Sequence, residues 1–296
     1  MFATRFERFG PPEVLAAGEL PEPHAGPGEV RIRVRTAGVS PVDLAIRAGK
    51  SRSPIALPHI PGVDAAGVVD EAGPGADVGD EVFGAVDVAR LGGATAEFAV
   101  LAFWAPKPPS MPWAQAGAAA SGIETATRAL DLLDVRDGMT LLVDGASGGV
   151  GSLVVGLALA RGARVLGTGG DLEFVESLGA TPVPYGPGLP ARVSGVDAAL
   201  DVAGKGSLPE LVELTGTPSS VVTLADFSGP SHGVRVSVGA LAGEPDGRHG
   251  LAIAARLFEE GRFRVPVEAV FTDAAAAHAA AERGPRRGKL VVKVSE

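Results

Sequence analysis

The 296-residue sequence contains no cysteine. Disulfides, thiolate metal sites and a thiol nucleophile are therefore excluded. It lacks basic excess: 26 Lys and Arg stand against 35 Asp and Glu, a formal net charge of −9. With no basic stripe, nucleic acid is not an expected partner. Long apolar runs are missing too, and none reaches the roughly 18 residues of a membrane span. The N-terminus, Met1-Phe2-Ala3-Thr4-Arg5, carries no apolar core of a secretory signal. The expectation is a soluble cytoplasmic protein. The five histidines, His24, His59, His232, His249 and His278, are scattered without ligand spacing. Structural or loop positions are expected for them, and no metal.

What is present is apolar and finely punctuated. Hydrophobic residues make up 46%, and 42 glycines and 24 prolines interrupt short Val/Ile/Leu runs. The length fits about two domains. In the first third, 29–35 (EVRIRVR) alternates charged and apolar residues, which predicts a strand with Val30, Ile32 and Val34 facing a core. Further short strands are expected at 62–70, 80–84 and 96–100, as in a barrel-like β domain. From 114 to 133 the spacing predicts one helix. Strands at 140–144, 163–168, 196–201 and 220–225 then alternate with helices at 152–161 and 173–178, the signature of βαβ units and a parallel sheet. Helices at 251–260 and 274–283 and a strand at 289–294 close the chain. The expected organisation is a β domain from 1–119 and 262–296, with a Rossmann-type domain inserted at 120–261.

The sharpest motif is Val143-Asp144-Gly145-Ala146-Ser147-Gly148-Gly149-Val150-Gly151, between a strand and a helix. It follows the Gly-x-Gly-x-x-Gly dinucleotide fingerprint, with Ala146 at the first glycine position and Gly148 and Gly151 at the others. A side chain at 148 would block a diphosphate, Gly151 lets helix approach strand, and Ser147 can add a hydroxyl donor. Asp171 lies near the distance expected of the ribose-binding acid. It either accepts a ribose hydroxyl, favouring NADH, or caps the helix that follows. No Lys or Arg occurs between Gly167 and Glu176.

The chain also resembles a known family. Ala37-Gly38-Val39-Ser40-Pro41-Val42-Asp43, Ile46-Arg47-Ala48-Gly49, Ile60-Pro61-Gly62-Val63-Asp64-Ala65-Ala66-Gly67, Gly79-Asp80-Glu81-Val82-Phe83-Gly84, Thr125-Ala126-Thr127-Arg128-Ala129-Leu130 and Arg287-Gly288-Lys289-Leu290-Val291 resemble, in order and spacing, the zinc-independent quinone oxidoreductase branch of the medium-chain dehydrogenase/reductase superfamily. The resemblance implies an α/β protein: a GroES-like β-barrel domain, a Rossmann doubly wound parallel sheet, a homodimer, and a substrate bound in the cleft between domains. It implies NADPH, with NADH possible, held by Ser147, Gly148, Gly149, Val150 and Gly151. Gly170, Asp171 and Tyr185 would lie on the adenosine side, and Thr125, Ala225 and Asp226 on the nicotinamide side. Ser40 stands where the family usually has Asn, beside the substrate. Lys50 stands where relatives often carry a tyrosine proposed as proton donor.

The implied activity is reduction of a quinone or α,β-unsaturated carbonyl, with an apolar carbonyl compound as substrate. The proton would come from Ser40, from Lys50 if burial lowered its pKa, or from solvent. An exposed loop lysine is the plainer reading of Lys50. Asp43 and Asp64 are expected to brace backbone, Arg47 to pair with Asp64 or a cofactor phosphate, and His59 to be structural or to approach the cleft. The missing tyrosine and the short turn after the second Rossmann strand leave two alternatives: a cyclase or isomerase on the same fold, or a non-catalytic cofactor-binding protein.

Overall fold

The computed structural model describes residues 1–88, 92–283 and 287–295. In chain order it runs β1 (Phe2–Arg5), β2 (Ala16–Glu19), β3 (Val30–Val39), α1 (Pro41–Arg47), β4 (Asp64–Glu71), β5 (Glu81–Ala85), β6 (Phe98–Leu101), β7 (Phe103–Pro106), α2 (Trp113–Ala116) and α3 (Ala120–Leu132). There follow β8 (Thr140–Asp144), α4 (Gly151–Ala160), β9 (Arg164–Gly169), α5 (Leu172–Ser177), β10 (Thr181–Pro184), β11 (Ala198–Asp201), α6 (Leu208–Thr215), β12 (Val221–Thr223), β13 (Arg235–Val236) and α7 (Gly250–Glu259). Last come β14 (Val267–Phe271), α8 (Ala274–Glu282) and β15 (Lys289–Lys293). These residues form two units, one of 1–121, 267–283 and 289–295, the other of 122–266 and 287–288. The sequence reading puts the cuts after 119 and 261.

The first unit is built on β3. Its alternation places Val30, Ile32 and Val34 inward at 0% exposure, against Val69, Val82 and Leu101. Each such side chain contributes roughly 1.5–3 kcal/mol of burial, and a charge at Val34 would sit in this core without a partner. The sheet order is β14-β15-β3-β4-β5-β7, with β6 also on β3. β15 pairs antiparallel with β3 through Leu290↔Val39 to Lys293↔Thr36. This unit therefore takes a central strand from the far end of the chain.

One sequence expectation changes here. The helix expected over 114–133 is two, α2 and α3, with Gly117 between them. A β-carbon at Gly117 would lie 2.2 Å from the Thr36 hydroxyl, so chain and β3 meet where a side chain cannot fit. Trp104, just ahead of the proline-rich stretch 105–109, is on β7 opposite Gly84 and packs on the β-domain core.

The second unit holds a wholly parallel sheet of order β10-β9-β8-β11-β12-β13. Leu141, Leu142 and Val143 are fully buried, because a parallel strand is covered on both faces and reads as an unbroken apolar run. α4 is buried over most of its residues, consistent with its nearly all-apolar sequence. The strand order reverses between β8 and β11, the switch point beside which such sheets bind ligands.

Candidate functional site

The turn from β8 to α4 is shaped by glycines in distinct roles. Gly145 has φ +96°, so it supplies the left-handed bend just ahead of Ala146, which stands at the first glycine position of the fingerprint. The Gly148 N–H donates to the Gly145 carbonyl at 3.2 Å. A β-carbon at Gly151 would stand 2.1 Å from that carbonyl, whereas one at Gly148 would meet only the same oxygen at 3.4 Å. Gly151 is thus a packing requirement, and Gly148 leaves an open face. Across the turn, the Ala146 methyl occupies the space left by Gly167, and the Ser147 hydroxyl that left by Gly169, each 2.8 Å from the missing β-carbon.

Among the described residues, the N–H groups of Gly149, Val150 and Gly151 meet no backbone or side-chain acceptor. Unpartnered N–H groups and the dipole of the ten-residue α4 together favour an anion. The bare face at Gly148 and these amides fit a diphosphate.

Strand ends fix the turn, through residues that sequence reasoning did not single out. Asp144 accepts from the Thr168 hydroxyl on one oxygen and from Ser207 at 2.5 Å on the other. Thr168 in turn accepts from the Gly145 N–H at 3.0 Å. Asp201 receives the N–H groups of Ala203 and Gly204 at 2.9 and 2.8 Å and the Thr223 hydroxyl at 2.7 Å. Burial raises the Asp201 carboxyl above its usual range, against the Gly204 and Thr223 hydrogen bonds that lower it. The available signal was a polar residue at or next to the C-terminal end of each apolar strand: Asp144, Thr168, Asp201 and Thr223.

The remaining nucleotide-side expectations fall in the same unit. Gly170 is exposed at the end of β9. Asp171 caps α5, accepting the Phe174 N–H at 2.9 Å, and its other oxygen pairs with Arg287. Tyr185 is 47% exposed and lines a pocket of about 290 Å³ with Asp144, Leu189, Lys205, Ser207 and Glu210. Partial burial, then the charges of Asp144 and Asp201, raise its phenol above the ordinary value. Ala225 and Asp226 follow β12, where both N–H groups donate to the Thr223 hydroxyl. Hydrogen bonds from Ser228 hold the Asp226 carboxyl below the usual range. Thr125 lies on α3, its hydroxyl donating to Glu124 at 3.2 Å.

The first unit contains a buried polar cluster. Lys289 Nζ lies 3.1 Å from both the Ser40 hydroxyl and Asp64 Oδ2, and Ser40 donates to the same Asp64 oxygen at 3.3 Å. Asp64 also takes the Ser121 N–H at 2.6 Å. Asp43 braces backbone as expected, accepting the N–H groups of Ser40 at 2.7 Å and Gly62 at 2.9 Å. Burial pushes its carboxyl up to about 7. Arg47 pairs with Glu282, not with Asp64. Lys50 is exposed just beyond α1, without the burial a tuned donor needs. His59 packs on Phe6 at a ring separation of 5.4 Å, and burial lowers its pKa to about 4. Sequence reasoning missed Lys289, which reads there as an ordinary strand-end lysine.

A β domain of this kind, with a doubly wound parallel sheet and a glycine turn at its first strand, defines the dehydrogenase class of two-domain chains. The alcohol dehydrogenase GroES-like domain family matches residues 26–108, and the family described as zinc-binding dehydrogenase matches 178–292. Human quinone oxidoreductase is 35% identical over 253 residues, covering 80% of this chain and 72% of its own. Rat quinone oxidoreductase is 40% identical over 181 residues, 58% of this chain and 54% of its own. The chain thus spans about half the length of several quinone oxidoreductases it matches. An NADPH-dependent alkenal/one oxidoreductase of Arabidopsis thaliana is 34% identical over 197 residues, 61% of this chain and 51% of its own. A solved alcohol dehydrogenase superfamily protein from Novosphingobium aromaticivorans superimposes with a TM-score of 0.85 at 31% identity, over 100% of both chains. The chain belongs to the medium-chain dehydrogenase/reductase superfamily, in its quinone oxidoreductase-like branch. No helix among the described residues is long and apolar enough to cross a membrane.

Proposed function

We propose that the chain is a zinc-independent NAD(P)H-dependent oxidoreductase that reduces a quinone or an α,β-unsaturated carbonyl compound. The observation that carries this reading is the turn at 145–151, with its open face at Gly148 and unpartnered amides at the start of α4. The cysteine-free sequence offers no thiolate to a zinc ion. When bound, the coenzyme would supply a hydride to an electron-poor carbon of the substrate.

The chain's share is binding, orientation and the proton. Ser147 to Gly151 would hold the diphosphate, with Gly170, Asp171 and Tyr185 toward the adenosine and Thr125, Ala225 and Asp226 toward the nicotinamide. In this reading the coenzyme is NADPH, as in the name of the Arabidopsis relative. Ser40 is the candidate proton donor to the enolate or quinol oxygen. Lys289, 3.1 Å behind it, would replace the proton given up, and Asp64 balances the lysine's charge. The substrate is a small apolar carbonyl compound, and the protein a cytoplasmic homodimer.

Two measurements test this. Calorimetry should register binding of NADPH. Coenzyme absorbance should then fall, mole for mole with product, when a panel of quinones and enones is supplied. Tight coenzyme binding without oxidation by any of them would sink the redox reading, and no binding of either coenzyme would sink the site.

A further inference from the structure

We propose that Arg287 is the specificity residue for the coenzyme's 2′-phosphate, a role that rests on the dinucleotide reading of the turn. Asp171 follows β9 at the position where a carboxylate accepts the ribose 2′-hydroxyl and repels a 2′-phosphate. Here that carboxylate is committed. One oxygen takes the Phe174 N–H at 2.9 Å, and the other is paired with the Arg287 guanidinium. The guanidinium offsets its charge, so the acid repels a phosphorylated ribose less.

Arg287 arrives there by backbone construction. The next residue, Gly288, donates its N–H to the Ser147 carbonyl at 3.0 Å, inside the glycine turn. Gly288 has φ +96°, and a β-carbon on it would lie 2.3 Å from the Pro266 carbonyl. Only glycine satisfies that position, and its neighbour is thereby held beside β9. The sequence from Gly167 to Glu176 contains no Lys or Arg, so a distant residue supplies the cation. The arginine side chain is 66% exposed while Asp171 is 22% exposed. The planar guanidinium fork suits a phosphate as it suits the Asp171 carboxylate. Lys205, exposed at the rim of the pocket that Tyr185 lines, is the rival cation.

The test uses fragments that differ only in the phosphate. 2′,5′-ADP and 5′-AMP are titrated by calorimetry into the full-length protein and into Arg287→Ala, Arg287→Gln, Arg287→Lys and Lys205→Ala. The wild type should prefer 2′,5′-ADP, increasingly so at low salt. Arg287→Ala and Arg287→Gln should lower 2′,5′-ADP affinity about 10- to 100-fold, the effect of one or two charge-assisted hydrogen bonds. Their 5′-AMP affinity should hold or rise, since Asp171 is released toward the ribose hydroxyl, and Arg287→Lys should restore part of the loss. Retained 5′-AMP binding shows that each variant is folded. The proposal is overturned if the wild type binds both nucleotides equally, if the preference survives loss of Arg287, or if Lys205→Ala alone abolishes it. Failure of the wild type to bind 5′-AMP or 2′,5′-ADP overturns the dinucleotide reading itself.

Discussion

Gly148 and Gly151 separate two reasons for being glycine. Gly151→Ala drives a methyl into the Gly145 carbonyl 2.1 Å away, so it should cost about 1–3 kcal/mol of stability and coenzyme binding with it. Gly148→Ala meets only an ordinary contact at 3.4 Å. It should melt like the wild type yet bind coenzyme poorly, because its methyl projects where the diphosphate docks. Undiminished binding by folded Gly148→Ala, seen in calorimetry beside a melting curve, would remove the cradle. Lys289→Met should cost about 3–5 kcal/mol in denaturant unfolding, since it strands the Asp64 carboxylate at 0% exposure. The turn was legible because its glycines lie together in sequence. Lys289 and Asp64, 225 positions apart, were not: nothing local distinguishes a buried lysine at a strand start from an exposed one.

Elements were legible in proportion to how deeply they sit in a sheet. β3, β8, β9 and β11 are interior strands, and their period-two or continuous apolar patterns follow from that placement. The strands that went unread, β7, β10, β13 and β14 and the two-stranded pair β1–β2, all lie at sheet edges. β10 is Thr181-Pro182-Val183-Pro184 and β7 ends in Pro106. Proline has no N–H for a ladder, so it reads as loop, but an edge strand can leave one side unpaired. The polar ends of the interior strands yield a prediction of their own. Asp144→Ala should lower stability by about 1–3 kcal/mol, because Thr168 and Ser207 lose their common acceptor. It should also weaken coenzyme binding, because Thr168 orients the Gly145 N–H. Stability and affinity that both match the wild type would show that this brace is dispensable.

The whole molecule's response to pH is set by opposing buried groups. Burial lowers His59 and His278 from 6.5 to about 4, with the Arg47 charge adding to the effect on His278. The unfolded chain therefore binds protons on them between pH 6.5 and 4 that the folded chain refuses, and their stabilisation is lost as pH falls through that window. Asp43 runs the other way. Raised from 3.8 to about 7, it is protonated when folded and ionised when unfolded, so it favours folding as pH falls from 7 toward 4. Asp201, also raised by burial, acts with Asp43, whereas Glu71, Glu210 and Asp226, held low, act with the histidines. With the two histidines and three carboxylates on one side, urea midpoints should decline between pH 6.5 and 4. His278→Gln should flatten that decline and Asp43→Asn should steepen it. A midpoint that rises on acidification would reverse the assignment. None of this was legible in the sequence, where the histidines are merely scattered and burial is not visible.

The pairing of β15 with β3 also imposes an order on biosynthesis. Residues 36–39 leave the ribosome about 250 residues ahead of their hydrogen-bonding partners, 290–293. At about 5–20 residues per second, this strand waits roughly 10–50 s with a bare edge. The parallel sheet, whose strands all lie between 140 and 236, is complete well before then. The nascent β3 edge thus stays open to chaperones or to wrong partners while the whole parallel sheet is made.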